Sequence, residues 1–435
     1  MGISARVPAA CALGRPAALI ERKRRRSRRS VLTGRRKQAP IPSGGRGRRR
    51  KGGGVPTKRE TGRRRALPDR PGEPRGFAGV RLDAGPGASP LEALADAVCP
   101  PRVRGRPLNI LAVSGGAAGG AFGAGLLVGL EAGGRRPTFD LVTGVSTGAL
   151  IAPFAFLGPA WDERLADAYT GGHAGALFDL RRMLPGIEAG LFRAQALDAL
   201  IAPFVDPDLL DAVAAAHLEG RRLFVATTDL DRQRGCIWDM GRIALGARGG
   251  DPEGALALFR SVLAASASLP GMFPPRLIDC EADGAAYVEM HADGGMAAPL
   301  FVLPEDLLRW PRIRERLRGG RVHLIVNTPL HAEAKATPAN LPAVLMRSFE
   351  TMLRFSYRQA ISTTAAFCAG AALPLGVASI PEGGNPRDLV SFDTANMRRM
   401  FEAGIARAAE PDPWSFDRPE PGPLASLLPG WLRAG

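Results

Sequence analysis

The sequence predicts an open, mainly parallel α/β sheet flanked by helices, a three-layer α/β/α arrangement. Three observations carry that prediction. Short apolar runs without polar alternation recur at "LNILAVS" (108–114), "FDLVTGVS" (139–146), "RRLFVATTDL" (221–230) and "RVHLIVNTPL" (321–330). Strands buried on both faces need no alternation, because helices cover both sides of a parallel sheet. Amphipathic helical patterns lie between these runs, at 162–170, 194–203, 208–218 and 254–265, and strands alternating with helices are the signature of βα units. Glycine-rich turns join strand to helix at "SGGAAGGAF" (114–122) and "GVSTG" (144–148).

The elements follow in chain order. Residues 1–80 carry 24 Lys and Arg against 4 Asp and Glu, so the whole net charge of +16 belongs to this segment and the remainder is slightly acidic. Its runs of arginine, glycine and proline lack the apolar surface to offset chain entropy, and a disordered Arg-rich tail is expected over 1–80. Contact with an anionic membrane through this tail is one expectation. Nucleic acid is not the expected partner, because no Phe, Tyr or Trp precedes Phe77 to stack on bases. "SRRSVL" (27–32) lacks the apolar run of an export signal, so a cytoplasmic or peripheral-membrane location is expected. A transition segment, 81–107, contains a helical stretch at 90–98.

Residues 108–130 and 141–161 hold no charge, and a hydropathy window would take both for membrane spans. Seven glycines in the first and Pro153 and Pro159 in the second argue instead for strand–turn–helix units. Beyond 331 the strand signal fades. Apolar residues at helical spacing over 341–367 and 394–410 predict a C-terminal helical extension, 331–435, packed on the α/β domain at 108–330. Five widely spaced cysteines form no C-x-x-C and favour reduced thiols. No metal or other cofactor is expected.

The chemistry centres on Gly144-Val145-Ser146-Thr147-Gly148. Serine is a poor nucleophile until it is positioned and deprotonated. On a sharp turn between strand and helix, glycines at ±2 prevent backbone collisions and the hydroxyl projects at a helix N-terminus. The 114–122 turn could supply backbone N–H donors for an oxyanion. The base admits two readings. A Ser-His-Asp esterase would use His323 or His331, whereas "VEMHADGGMAAP" offers Asp293 on an acidic turn followed by Gly294 and Gly295. A pocket lined by Phe122, Phe154, Phe156, Met272 and Phe273 would raise the pKa of such an aspartate.

A Gly-rich loop after the first strand, G-x-S-x-G on the next turn and a late D-G-G, in that order, resemble the patatin-like phospholipase family. "ATTDLD" (226–231) and "ASASLPGMFPP" (265–275) continue the resemblance, which spans roughly 108–330. It implies a Ser–Asp dyad hydrolase of lipid acyl esters, with Ser146 as nucleophile, Asp293 as base and the N–H groups of Gly115, Gly116 and Ala117 as oxyanion hole. Gly120, Gly144, Gly148, Gly294 and Gly295 complete the motifs. The family's loop usually reads G-G-G-x-[RK]-G. Here Ala117 replaces the third glycine and Gly119 the basic residue, so head-group preference is left open. A catalytically silent lipid- or nucleic-acid-binding relative is the remaining alternative.

Overall fold

The computed structural model describes residues 67–82, 91–100, 108–175, 194–330, 334, 336–381, 389 and 391–416, all within one compact unit, Arg59–Gly435. The Arg-rich segment up to residue 66, His331 and the Pro-rich C-terminus lie outside the described residues.

Ten strands form one sheet. They are β1 (Glu73–Pro74), β2 (Arg81–Leu82), β3 (Asn109–Val113), β4 (Leu141–Val145), β5 (Arg222–Asp229), β6 (Arg234–Asp239), β7 (Arg276–Ala282), β8 (Ala285–Asp293), β9 (Arg321–Val326) and β10 (Leu375–Ser379). The principal order is β1-β7-β8-β5-β4-β3-β9-β10, with β6 pairing β5 and β2. From β5 to β10 the neighbours along this path are parallel, as expected. The other half is antiparallel, because β7 and β8 make a hairpin closed by Asp283 and Gly284 in left-handed conformations. A run such as "RLIDCEADGAAYVEM", with polar residues alternating, belongs to a sheet face open to water.

The helices are α1 (Leu91–Val98), α2 (Gly120–Ala132), α3 (Thr147–Leu157), α4 (Asp162–Thr170), α5 (Ala194–Ile201), α6 (Pro207–Leu218), α7 (Met240–Arg248), α8 (Pro252–Ser266), the short α9 (Glu305–Arg309) and α10 (Ile313–Arg316), α11 (Leu341–Gly370) and α12 (Thr394–Ala409). Asp206, Asp239, Asp251, Asn340 and Asp393 cap five of them by accepting an N–H from the first turn. None of the described helices is long and apolar enough to cross a membrane.

The uncharged stretch 120–130 has a packing explanation. Helix α2 lies against α12 so closely that a Cβ at Gly125 would sit 1.9 Å from the Phe401 carbonyl oxygen, and one at Gly404 2.1 Å from that of Phe122. Glycine is what permits two helix backbones to approach this far, so the composition reflects helix contact within the protein.

Three boundaries differ from the sequence expectation. Residues 67–80 belong to the fold. Phe77 and Val80 are buried in the core, β1 pairs with β7, and the adjoining Arg81 forms a buried ion pair of 2.7 Å with Glu289. The segment 81–107 contributes β2 and α1, whose Leu94, Ala95 and Val98 join the core under β9. The C-terminal region is not wholly helical: "LGVAS" (375–379) adds β10 to the sheet edge beside β9. At five residues it is too short for its pattern to stand out from the loops around it.

Candidate active site

Strand register brings the site together. Strand β4 runs parallel to β5 until Val145 pairs with Ala226. The same edge of β5 is then taken over by β8, arriving antiparallel, with Asp293 paired to Thr227. The end of β4 and the end of β8 thus meet across one residue step of β5. Ser146 follows the first and Asp293 terminates the second, and the Ser146 Oγ donates a 2.6 Å hydrogen bond to Asp293 Oδ2.

Ser146 stands at φ 55°, ψ −126°, immediately before α3. This is strained backbone for a side chain with a Cβ, and it is the geometry of a sharp strand-to-helix turn. The flanking glycines are required by space. A Cβ at Gly144 would lie 2.5 Å from the Gly148 carbonyl oxygen, and one at Gly148 2.2 Å from that of Val113. The Ser146 N–H donates to Ser266 Oγ at 2.9 Å, and that hydroxyl donates to the Ala226 carbonyl at 2.7 Å. Ser266, the last residue of α8, therefore ties the turn to β5. It lies inside the quoted "ASASLPGMFPP" stretch, but nothing in its spacing marked it as a brace.

Asp293 Oδ1 accepts the Gly295 N–H at 2.7 Å, which fixes the carboxylate plane. Gly294 packs where a Cβ would meet the Ala226 carbonyl at 2.2 Å, and Gly120 where one would meet the Thr147 hydroxyl at 2.1 Å. Burial pushes the Asp293 carboxyl up to about 6, against the opposing hydrogen bonds from Ser146 and Gly295. A carboxylate so placed is a stronger base than one in water.

The Gly-rich loop lies beside the serine, with Gly116 at φ 151° and Ala117 at φ 50°. The left-handed region costs a residue with a Cβ on the order of 1–2 kcal/mol, and Ala117 occupies it. Gly116, Ala117 and Ser146 line one cavity, and among the described residues neither the Gly116 nor the Ala117 N–H has a hydrogen-bond partner. Gly115 departs from the expectation, because its N–H donates to the Pro299 carbonyl at 3.3 Å. Its role is spatial: a Cβ there would lie 2.8 Å from the Tyr357 hydroxyl and 3.1 Å from Ser146 Cβ.

Asn327, at the end of β9, holds the loop from beneath. Its N–H donates to Ser114 Oγ and its amide Nδ2 to the Ser114 carbonyl, both at 2.9 Å. The Asn327 carbonyl oxygen stands 2.0 Å from where a Cβ on Gly116 would be and 2.1 Å from one on Gly119. The missing basic side chain at Gly119 thus has a local cause. This loop is pressed too tightly on Asn327 to admit one.

The cavity holds about 1330 Å³ including its open mouth, and Leu150, Leu200, Met272, Phe273, Leu353 and Phe392 supply apolar wall. A second, almost wholly apolar cavity of about 610 Å³ shares Ala117, Thr147, Leu150, Leu200 and Phe392 with it and reaches Phe154 and Phe204. Of the five side chains expected to line a pocket, Met272, Phe273 and Phe154 do so. Phe122 and Phe156 are fully buried in the core instead. Tyr357, from α11, also borders the serine cavity, and burial and then the nearby Asp293 charge push its phenol pKa upward. Its helix was visible in the sequence; its approach to the serine, some 200 residues away, was not.

The described histidines are occupied elsewhere. His291 lies between Thr227 Oγ1 at 2.9 Å and Glu289 Oε2 at 3.1 Å. The ring of His323 packs on Phe139, Trp414 and Phe416 near the opposite end of the strands. Its level on the sheet is that of Val142, four residues or about 13 Å short of Ser146. His217 faces Asp239 at 3.6 Å and His173 faces Asp167 at 3.0 Å. No group of three or more His, Cys, Asp or Glu among the described residues is placed to hold a metal ion.

The family model described as patatin-like phospholipase matches residues 111–305. The solved structure of VipD from Legionella pneumophila aligns at a TM-score of 0.29 and 13% identity, covering 69% of this chain and 67% of that one. No curated protein matches the sequence. Over residues 111–305, a little under half of its length, the chain is similar to the patatin-like phospholipase family.

Proposed function

We propose that the protein hydrolyses lipid acyl esters through an acyl-enzyme on Ser146, with Asp293 as the only base. Lipid acyl hydrolysis is the general activity that the family implies; the dyad is carried by one observation, the 2.6 Å contact between Ser146 Oγ and Asp293 Oδ2 at the floor of an apolar cavity. Asp293 takes the serine proton as Oγ attacks the ester carbonyl. The tetrahedral oxyanion is held by the N–H groups of Gly116 and Ala117, which border the cavity beside the serine, and by the N-terminal end of α3. Asp293 then protonates the leaving alkoxide as the intermediate collapses. In the second half-reaction it takes a proton from water, and the resulting attack releases the acid. The apolar walls exclude bulk water and keep the carboxylate basic.

The test compares kcat/KM on one soluble ester for Ser146→Ala, Asp293→Asn and the double variant, with circular dichroism confirming the fold. Two residues acting as one unit lose activity non-additively. The double variant is therefore expected to be little worse than either single one. Substantial turnover by Asp293→Asn would refute the dyad.

A further inference from the structure

Five of the eleven exposed large apolar side chains among the described residues lie on one helix. Leu341, Val344, Leu345, Met352 and Phe355 of α11 are between 46% and 71% exposed. At 3.6 residues per turn these positions fall in a single stripe, and 14 residues of helix extend it over about 21 Å. Two other faces of α11 already have roles. Roughly 130–170° around in one direction, Leu353 and Tyr357 border the serine cavity. About 90–130° around in the other direction stand Arg347, Arg354 and Arg358, of which Arg347 and Arg354 also border that cavity.

Those arginines and Glu350 are all the charged residues of the helix, so it carries a net charge of +2. The guanidiniums are held in place. Arg347 pairs with Glu350 at 3.2 Å, Arg354 donates to the Pro329 carbonyl at 3.3 Å, and Arg358 donates to the Leu330 carbonyl at 3.1 Å. An apolar stripe flanked by cations is the pattern of a helix lying in the plane of a lipid surface. A second copy of the chain fits it poorly. A stripe of 21 Å by about 10 Å offers some 200 Å², against roughly 800 Å² per partner in a stable dimer. Two such helices would also bring like charges together.

We propose that α11 is an interfacial docking element, its apolar stripe entering an anionic lipid surface while Arg347, Arg354 and Arg358 meet the head groups. The biological sense of this contact rests on the lipid-hydrolase reading, since the same helix walls the serine cavity and docking would hold that cavity against its substrate layer.

The test uses the full-length chain carrying Ser146→Ala, so that vesicles are not consumed, and measures co-sedimentation with phosphatidylcholine vesicles with and without phosphatidylglycerol. Salt separates the helix from the basic N-terminal segment: between about 0.1 M and about 1 M the screening length falls from roughly 10 Å to roughly 3 Å. Binding that persists at high salt is assigned to the apolar stripe. Met352→Ser with Phe355→Ser is expected to lower that remainder on the order of tenfold or more, and phosphatidylglycerol is expected to raise binding at low salt. Leu218→Ser, an equally exposed residue on α6, is expected to leave partitioning unchanged. The proposal falls if the double variant partitions like its parent, if the parent binds neither vesicle, or if Leu218→Ser lowers binding equally. It also falls if gel filtration shows a dimer that the double variant disperses, because a second copy would then cover the stripe. Turnover of a soluble ester by Met352→Ser/Phe355→Ser with Ser146 intact is read in parallel. Absence of turnover in the wild type would sink the hydrolase reading, while vesicle partitioning still decides the docking surface.

Discussion

Replacing Asp293 with asparagine should abolish activity and, above about pH 6, stabilise the protein. The carboxyl is buried, and its pKa stands at about 6 against an ordinary value near 4. A shift of about two units corresponds to about 3 kcal/mol of folding free energy, as an order of magnitude. The sign follows from proton binding. Below about pH 4 the group is protonated in both states and costs nothing. As pH rises toward 6, the unfolded chain releases its proton first and the folded state loses stability; above 6 the deficit is constant. Asparagine has no proton to release. Its Oδ1 can still accept the Gly295 N–H, and its Nδ2 can donate to Ser146 Oγ, the two contacts that the aspartate makes. Urea denaturation of wild type and Asp293→Asn should thus show a difference near zero at about pH 4 that grows toward about 3 kcal/mol at about pH 8. His217 and His323, both pushed down to about 4 by burial, cost stability as pH falls from about 6.5 toward 4. They are present in both proteins and cancel in the difference. A pH-independent difference, or a variant less stable at pH 8, would refute the raised pKa and with it the strengthened base.

The same group sets the pH profile: kcat/KM on a soluble ester should rise through a limb near pH 6 as Asp293 ionises, and activity undiminished at pH 4 would contradict it. Gly119→Arg, which restores the basic residue of the family's loop, should lose activity or folded protein, because its Cβ would lie 2.1 Å from the Asn327 carbonyl oxygen. Wild-type turnover and melting temperature in that variant would show the loop to be looser than described. His323→Asn and His331→Asn should each retain most activity. A loss of about a thousandfold at His331, with Asp293→Asn still active, would establish a triad instead.

The parallel half of the sheet was legible because β3, β4, β5 and β9 are continuous apolar runs, and α4, α6 and α8 begin and end within a few residues of their expected limits. The β7–β8 hairpin and β10 were not, since one alternates in polarity and the other is too short. Charge misplaced the N-terminal boundary. Arg70 and Arg75 belong by composition to the basic segment, yet Phe77, Val80 and Leu82 beside them are buried. The meeting of Ser146 with Asp293 was legible because each stands in a glycine motif whose spacing reflects a spatial need. Ser266, Asn327 and Tyr357 act through contacts made across 120 residues or more, and no local pattern announces such a contact. The loss of Gly115 as an oxyanion donor has the same origin, because Pro299 is distant in sequence.

The central claim is that Ser146 is an activated nucleophile, and labelling by a fluorophosphonate reports that directly. Intact-protein mass after treatment should show one adduct per chain, and peptide mapping should place it on Ser146. Ser146→Ala should take up none and turn over no soluble ester, while its circular dichroism and melting temperature stay close to wild type. An adduct on another residue, or wild-type turnover by Ser146→Ala, would contradict the account.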